Sequence, residues 1–345
     1  ISWSRVIPEE GKINEKGVAF YSDLVNELRI NGIEPLVTIY HWDLPVWVQK
    51  KGGWLSQKIV KWFVEYTRVV VDALSDRVTY WLPMNEPQCF IMNGHMVGIH
   101  APFKKRYLAL SKLTRNCLMA FHASAEVIRK NAIIPPKIGI ALAASSYIPE
   151  NESAEAVKEA QHKSFFVKSG LMSNRWWSDP LLLGKTVRAY GIYRTRKSDM
   201  PKIQTKLDFI GINVYSPFQD NWYGTNEKVP AEKKNSLGWI NDGRCLYWTI
   251  RFFYERYNLP IMVTENGMCD NDEIAEDGFI HDEKRIGYMK DYIGNMKRAV
   301  DEGYPVIGFQ YCSLMDNFEW AEGYDPRVGL IFVDYRTGKR TIKDS

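Results

Sequence analysis

Long hydrophobic runs are missing from this sequence: no stretch approaches the roughly 18 to 20 apolar residues that a membrane-crossing helix needs, so no transmembrane span is expected. Cysteine is scarce. Cys89, Cys117, Cys245, Cys269 and Cys312 stand far apart, with no Cys-x-x-Cys pair and no histidine spacing that would build a zinc site. A reducing compartment, the cytoplasm, is the simplest reading of that pattern. Strong charge asymmetry is also lacking, because 45 basic and 41 acidic side chains leave a formal net charge of +4. The basic residues are dispersed apart from short clusters such as Lys104-Lys105-Arg106, so no stripe marks a nucleic-acid groove. Neither a secretory leader nor a transit segment is visible at the start.

What the chain does have is apolar material for a large core: 345 residues, 45% apolar and 25% charged, describe a globular protein. Two small domains would also fit that length. No linker or low-complexity tract divides the chain, however, and one domain over residues 1–345 is the expectation. Aromatic residues reach 13%, with 12 Trp and 19 Tyr, and many stand in or beside polar clusters rather than on helix faces. Flat rings of this kind suit the C–H faces of sugars.

Short β-branched or aromatic runs alternate with longer amphipathic stretches, the pattern of repeated βα units around a parallel sheet. ISWSRVIP at residues 1–8 reads as the second half of a buried strand, which suggests that sequence precedes it. Residues 14–31 carry apolar positions at Val18, Tyr21, Leu24, Val25 and Leu28, a helical period. PLVTIYHWD (35–43) is apolar up to a polar end, as expected for a strand buried on both faces. Helices at 56–74, 107–130 and 154–170 alternate with strands at 77–87 and 137–144. The period then fades over 176–206, read as a loop with short helical pieces. DFIGINVYS (208–216) restores the strand pattern, a loop covers 222–241, and a helix at 245–257 leads into the strand PIMVTENG. A helix at 281–302 and a strand at 306–314 close the series. Six strands and one remnant point to an α/β fold, a TIM (β/α)8-type barrel whose first βα unit is absent.

A barrel enzyme assembles its site at the carboxyl ends of its strands. Polar clusters stand there five times: His41-Trp42-Asp43, Asn85-Glu86-Pro87, Asn213 with Tyr215, Glu265-Asn266-Gly267, and Asp316 through Trp320. Alone, an Asn-Glu-Pro tripeptide is commonly just a strand-ending turn. The weight lies in the joint placement of all five. Cleaving a glycosidic bond with retention takes two carboxyl groups about 5 to 5.5 Å apart, one to attack the anomeric carbon and one to protonate the leaving oxygen. Glu86 and Glu265 are the candidates, each one residue beyond a hydrophobic run and neither with a Lys or Arg neighbour in sequence. The acid role asks for a raised pKa at Glu86 while Glu265 stays ionised.

ISWSR, GIEPLVTIYHWDLP, GGW (52–54), WLPMNEP, DFIGINVYS, VTENG and DNFEWAEGYDPRVGLIFVD occur in this order over essentially residues 1–345. They resemble the motifs of the family 1 glycoside hydrolases, the β-glucosidase family. The resemblance implies a retaining exo-β-glycosidase acting on terminal β-D-glucosides, galactosides or fucosides, with Glu86 as acid/base and Glu265 as nucleophile, and with no metal or organic cofactor. It also implies that Arg5 and Tyr215 support the nucleophile. Asn85 then meets the sugar 2-hydroxyl, His41 and Trp42 the 3-hydroxyl, and Glu319 and Trp320 the 4- and 6-hydroxyls, with Asn213 a further substrate contact. The Ser and Lys-x-Tyr group of phosphosugar-cleaving relatives is not seen, so the glycone is a free sugar.

Three departures from the family pattern bear on the site. The strand bearing the Gln-Ile-Glu-Gly motif, with its sugar-binding Gln, does not appear before residue 1. Cys312 stands where the family carries the Trp that floors the sugar. The loops before Asp208 and between Tyr215 and Trp239 are short, which implies an open aglycone side. Two rival readings therefore stay open, a non-catalytic glycan-binding or receptor-like barrel and an inactive fragment of a normal enzyme. An exposed strand edge would favour a homo-oligomer that covers it. The expected partner is otherwise a small carbohydrate, with no nucleic acid and no membrane.

Overall fold

The structure, a computed structural model, describes residues 1–166, 170–189, 193–218 and 229–345. It divides into two compact units, Ile1–Leu142 with Lys168–Ile210, and Ala143–Val167 with Gly211–Ser345. Among the described residues no helix is long and apolar enough to cross a membrane.

In the first unit the run at 35–43 forms β1 (Leu36–Tyr40), which pairs in parallel with β2 (Tyr80–Met84), and β2 pairs in parallel with β3 (Lys137–Ile138). The helix Ile59–Leu74 crosses between β1 and β2, and Leu110–Asn131 between β2 and β3. Helix 59–74 buries Ile59, Trp62, Phe63, Tyr66, Val70 and Leu74, the three-and-four spacing that puts one stripe against the sheet. β4 (Ala141–Ala143) follows at the passage to the second unit.

The opening residues differ from the strand reading. Only Ile1 keeps a strand-like link, its nitrogen donating to the Thr38 carbonyl at 2.7 Å. From Trp3 to Val6 the chain makes a helical turn, with Ser2 Oγ accepting the Arg5 N–H at 3.3 Å. A Ser cap competes with extended pairing, and the turn carries the Trp3 ring into the core. There it stacks on Tyr66, centroids 5.0 Å apart, with Phe63 and Tyr40 edge-on. Gly17 of helix Glu15–Ile30 lies against this turn so closely that a Cβ would sit 2.3 Å from the Arg5 carbonyl.

The stretch at 176–206 also holds more structure than its faded period implied. Asn174–Leu183 is a helix buried on nearly every side, including Asn174, Ser178 and Asp179, so it shows no polar-apolar alternation. β5 (Arg188–Ala189) and β6 (Tyr193–Arg194) pair antiparallel after it.

In the second unit β7 (Ile210–Asn213), β8 (Ile261–Asn266) and β9 (Val306–Tyr311) continue a sheet of order β4-β7-β8-β9, with β9 outermost. The helix Arg244–Tyr257 precedes β8 and Glu283–Asp301 precedes β9. β10 (Ile331–Val333) and β11 (Arg340–Ile342) form an antiparallel pair after them. The helix expected at 154–170 is described over Ala154–Phe166. Its residues 167–169, and 222–228 of the expected loop, lie outside the described residues.

Candidate active site

In the first unit the ladder continues past the end of β2 and fixes its polar tip. The Asn85 N–H donates to the Tyr40 carbonyl and the Glu86 N–H to the Ala141 carbonyl, both at 2.9 Å. Both side chains are buried. Glu86 has φ +43°, left-handed for a non-glycine residue, a strain of about 1 to 3 kcal/mol that surrounding structure must hold. Here the hold comes from Pro87, which opens the short helix Pro87–Ile91, and from the Cys89 N–H donating to the Glu86 carbonyl at 3.0 Å.

His41 and Trp42 gather around Asn85. Trp42 Nε1 donates to the Asn85 carbonyl at 3.0 Å, and Asn85 Nδ2 lies 3.2 Å from His41 Nε2. With the amide so oriented, Nδ2 is the donor and the histidine nitrogen accepts, which asks for a neutral ring. His41 presents area to solvent, yet the protein packed around its ring pushes the pKa down to about 4. Trp42 carries φ +76°. Arg5, expected to support the nucleophile, is instead exposed, its guanidinium 4.5 Å from the centroid of Phe20 and 5.7 Å from that of Tyr21. Helical winding at 3–6 turns that side chain onto the neighbouring helix.

In the second unit Glu265, near the end of β8, accepts a hydrogen bond from the Tyr215 hydroxyl on Oε2 at 2.6 Å. Tyr215 is itself fixed, because Tyr292 Oη donates to its carbonyl at 2.8 Å and Tyr292 stacks on Tyr288, centroids 3.9 Å apart. Buried Asn266 ties the same strands, its Nδ2 donating to the Val214 carbonyl at 2.6 Å and to the Tyr288 hydroxyl at 2.8 Å. Asn213 is buried and accepts the Thr264 hydroxyl at 2.6 Å. Gly267 explains its place in the motif: a Cβ there would lie 2.1 Å from the Cys312 carbonyl. Cys312 is half-buried and donates its N–H to the Asn266 carbonyl at 2.8 Å.

Glu319 and Trp320 lie half-exposed beyond β9, with the Glu319 N–H donating to the Gly323 carbonyl at 2.7 Å and Trp320 at φ +47°. Asp316 of the same motif has another task, since its carboxylate is buried against Lys343 and Arg327. Sequence reasoning passed over Trp239, whose partly exposed ring meets Tyr215 edge-on with centroids 5.6 Å apart. A lone Trp in a Gly- and Asn-rich loop was the available signal. Among the described residues no group of three or more His, Cys, Asp or Glu is placed to hold a metal ion.

Comparison with known proteins adds to this geometry. The model of the family described as glycosyl hydrolase family 1 matches residues 1–345. Beta-glucosidase A of Thermotoga maritima is 38% identical, over 100% of this chain and 79% of that protein's length. Beta-glucosidase A of Acetivibrio thermocellus is 37% identical, over 100% of this chain and 80% of its own. The solved structure of the family 1 β-glucosidase from Thermotoga maritima superposes with a TM-score of 0.89 at 36% identity, covering 100% of this chain and 79% of that one. The same enzyme in complex with isofagomine lactam gives the same figures. This chain belongs to glycosyl hydrolase family 1 and has the α/β fold of that family, the TIM (β/α)8-type barrel.

Proposed function

We propose that this chain is a retaining exo-β-glycosidase that removes terminal non-reducing β-D-glucosyl residues, and also galactosyl or fucosyl residues, by double displacement. The observation that carries the reading is the Tyr215 hydroxyl on Glu265 Oε2 at 2.6 Å. A phenol aimed at one carboxylate oxygen stabilises the ionised form that a nucleophile needs. Family membership and the names of the relatives, beta-glucosidases, support the same reaction.

Glu265 attacks the anomeric carbon as the bond to the leaving oxygen breaks, and Glu86 gives its proton to that oxygen. A glycosyl ester on Glu265 results. Glu86, now a carboxylate, takes a proton from water, the water oxygen attacks the same carbon, and Glu265 leaves as a carboxylate. Two inversions give retention. Asn85, His41, Trp42, Asn213, Glu319 and Trp320 hold the glycone in this reading. It treats residues 1–345 as one catalytic domain, because neither carboxyl completes the cycle alone. A second reading, sugar binding without turnover, is favoured by Cys312, which offers no stacking face where the family carries a Trp.

A 2-deoxy-2-fluoro β-glucoside tests the assignment. One fluorosugar mass should appear on a peptide containing Glu265 within VTENG. An adduct on a different residue, or hydrolysis with no adduct, removes Glu265 from the role, while sugar binding with neither adduct nor hydrolysis supports the second reading.

A further inference from the structure

The loop bearing Glu319 and Trp320 is anchored by buried charge. Asp316, three residues before Glu319, receives Lys343 Nζ and the Gly329 N–H on Oδ1, each at 2.9 Å. Its Oδ2 receives the Val333 N–H at 3.3 Å and Arg327 Nη1 at 3.4 Å. Lys343 also reaches Asp272 at 2.5 Å, Asp272 accepts Arg285 Nη2 at 2.7 Å, and Arg285 reaches on to Asp282. Three carboxylates thus alternate with three cations. All of these side chains are at most 4% exposed except Arg327, at 18%.

A buried ionic chain of this kind is a poor means of stabilising a fold, since apolar residues of similar volume do as well or better; what it supplies is directional demand. Here the demand fixes residues 313–316 against 329–333 and 340–345. The Leu330 N–H donates to Ser313, Ile331 to Leu314, Asp316 to Ile331 and Lys343 to Leu330, all at 2.9 or 3.0 Å. Gly329 allows the approach, because a Cβ there would stand 2.1 Å from the Asp316 nitrogen. Beyond Asp316 the chain stays tied to the same segment: Asn317 Nδ2 donates to Ser313 Oγ at 2.9 Å, and the Tyr335 hydroxyl donates to the Asn317 carbonyl at 3.0 Å. Asn317 and Phe318 are exposed, and Trp320 holds a left-handed backbone. The chain therefore reaches Glu319 and Trp320 from the segment that Asp316 anchors.

We propose that Lys343 is a positioning residue for sugar selection: through Asp316 it sets where Glu319 and Trp320 stand, and so how well the site recognises the hydroxymethyl group of the glycone. This rests on the reading of Glu319 and Trp320 as contacts to the 4- and 6-hydroxyls. The test compares kcat/KM for 4-nitrophenyl β-glucoside with that for 4-nitrophenyl β-xyloside, which lacks the hydroxymethyl group. Lys343→Met should lower the glucoside-to-xyloside ratio about tenfold, the scale of one lost substrate contact, chiefly through KM for the glucoside. Lys343→Arg, which keeps the charge, should restore most of the ratio. A merely structural role predicts equal losses on both substrates, and equal losses or an unchanged ratio overturn the proposal. If Lys343→Met does not fold, Asp316→Asn takes its place: a fall in the same ratio supports the proposal, and equal losses or an unchanged ratio overturn it. Glu319→Gln separates the two levels. A ratio that falls in Glu319→Gln but not in Lys343→Met defeats the Lys343 link alone, whereas a ratio unmoved in both defeats the reading of Glu319 and the proposal with it.

Discussion

At the scale of single residues, the backbone marks the site as clearly as the side chains do. Among the described residues five non-glycine residues have positive φ, and three of them, Trp42, Glu86 and Trp320, are residues that the motifs single out. Strain of that kind persists where the surroundings over-determine it, which is common at functional sites. His41 offers a test of the electrostatics. Its pKa is pushed down to about 4 by the protein packed around it, against about 6.5 for an unperturbed imidazole. The folded state therefore resists protonation that the unfolded chain accepts. This histidine leaves stability untouched above pH 6.5 and lowers it as the pH falls from there towards 4. Proton NMR of the His41 ring should show a midpoint near 4, with the neutral form throughout the neutral range. A midpoint near 6.5 would contradict the arrangement with Asn85. The sequence named His41, Asn85 and Tyr215 because their motifs are specific, but the exposure of Arg5 and its packing on Phe20 were not legible there. Whether Ser2 caps a turn depends on where the Trp3 ring finds its pocket, and that pocket is made by Tyr40, Phe63 and Tyr66, far along the chain.

At the scale of elements, legibility followed amphipathicity. Ile59–Leu74 and Leu110–Asn131 were readable because one face is buried and the other wet. Asn174–Leu183 was hidden because both faces are buried and polar residues sit inside. Strands buried on both faces, β7 and β8, were readable as apolar runs, and their polar ends placed Asn213 and Glu265 in advance. The turn Trp3–Val6 is held mainly by its tryptophan, which is fully buried. Trp3→Ala should destabilise the protein by about 3 to 5 kcal/mol, the usual cost of emptying a large aromatic site. Trp3→Phe should cost much less, because a ring remains and a buried indole N–H with no hydrogen-bond partner is removed. Urea unfolding of the three proteins measures this, and equal midpoints for Trp3→Ala and wild type would show that the turn is held by other contacts.

At the scale of the whole molecule, exposed apolar side chains bear on association. In the second unit Ile307, Leu314, Met315, Phe318, Tyr324 and Ile342 are between 37% and 76% exposed, and β9 is the outermost strand of its sheet. Fully burying one such side chain gains about 1.5 to 3 kcal/mol, so half-exposed ones have roughly 1 kcal/mol each still to gain. Six of them yield about 6 kcal/mol, which falls within the roughly 4 to 15 kcal/mol that association costs in lost freedom. Apolar contact alone therefore leaves at best a weak complex. At the low end of that cost, about six added backbone hydrogen bonds along β9 at roughly 1 kcal/mol net each bring the remainder to about 8 kcal/mol, the range of micromolar complexes. We accordingly predict a concentration-dependent homo-oligomer: light scattering should find assembly above about 10 μM and a single chain at the nanomolar concentrations of an assay. Ile307→Lys with Ile342→Lys, which puts charge at two of these exposed positions, should keep the chain monomeric throughout. A wild-type monomer at every concentration, or an assembly that ignores the double substitution, would show that this surface is not the one that associates.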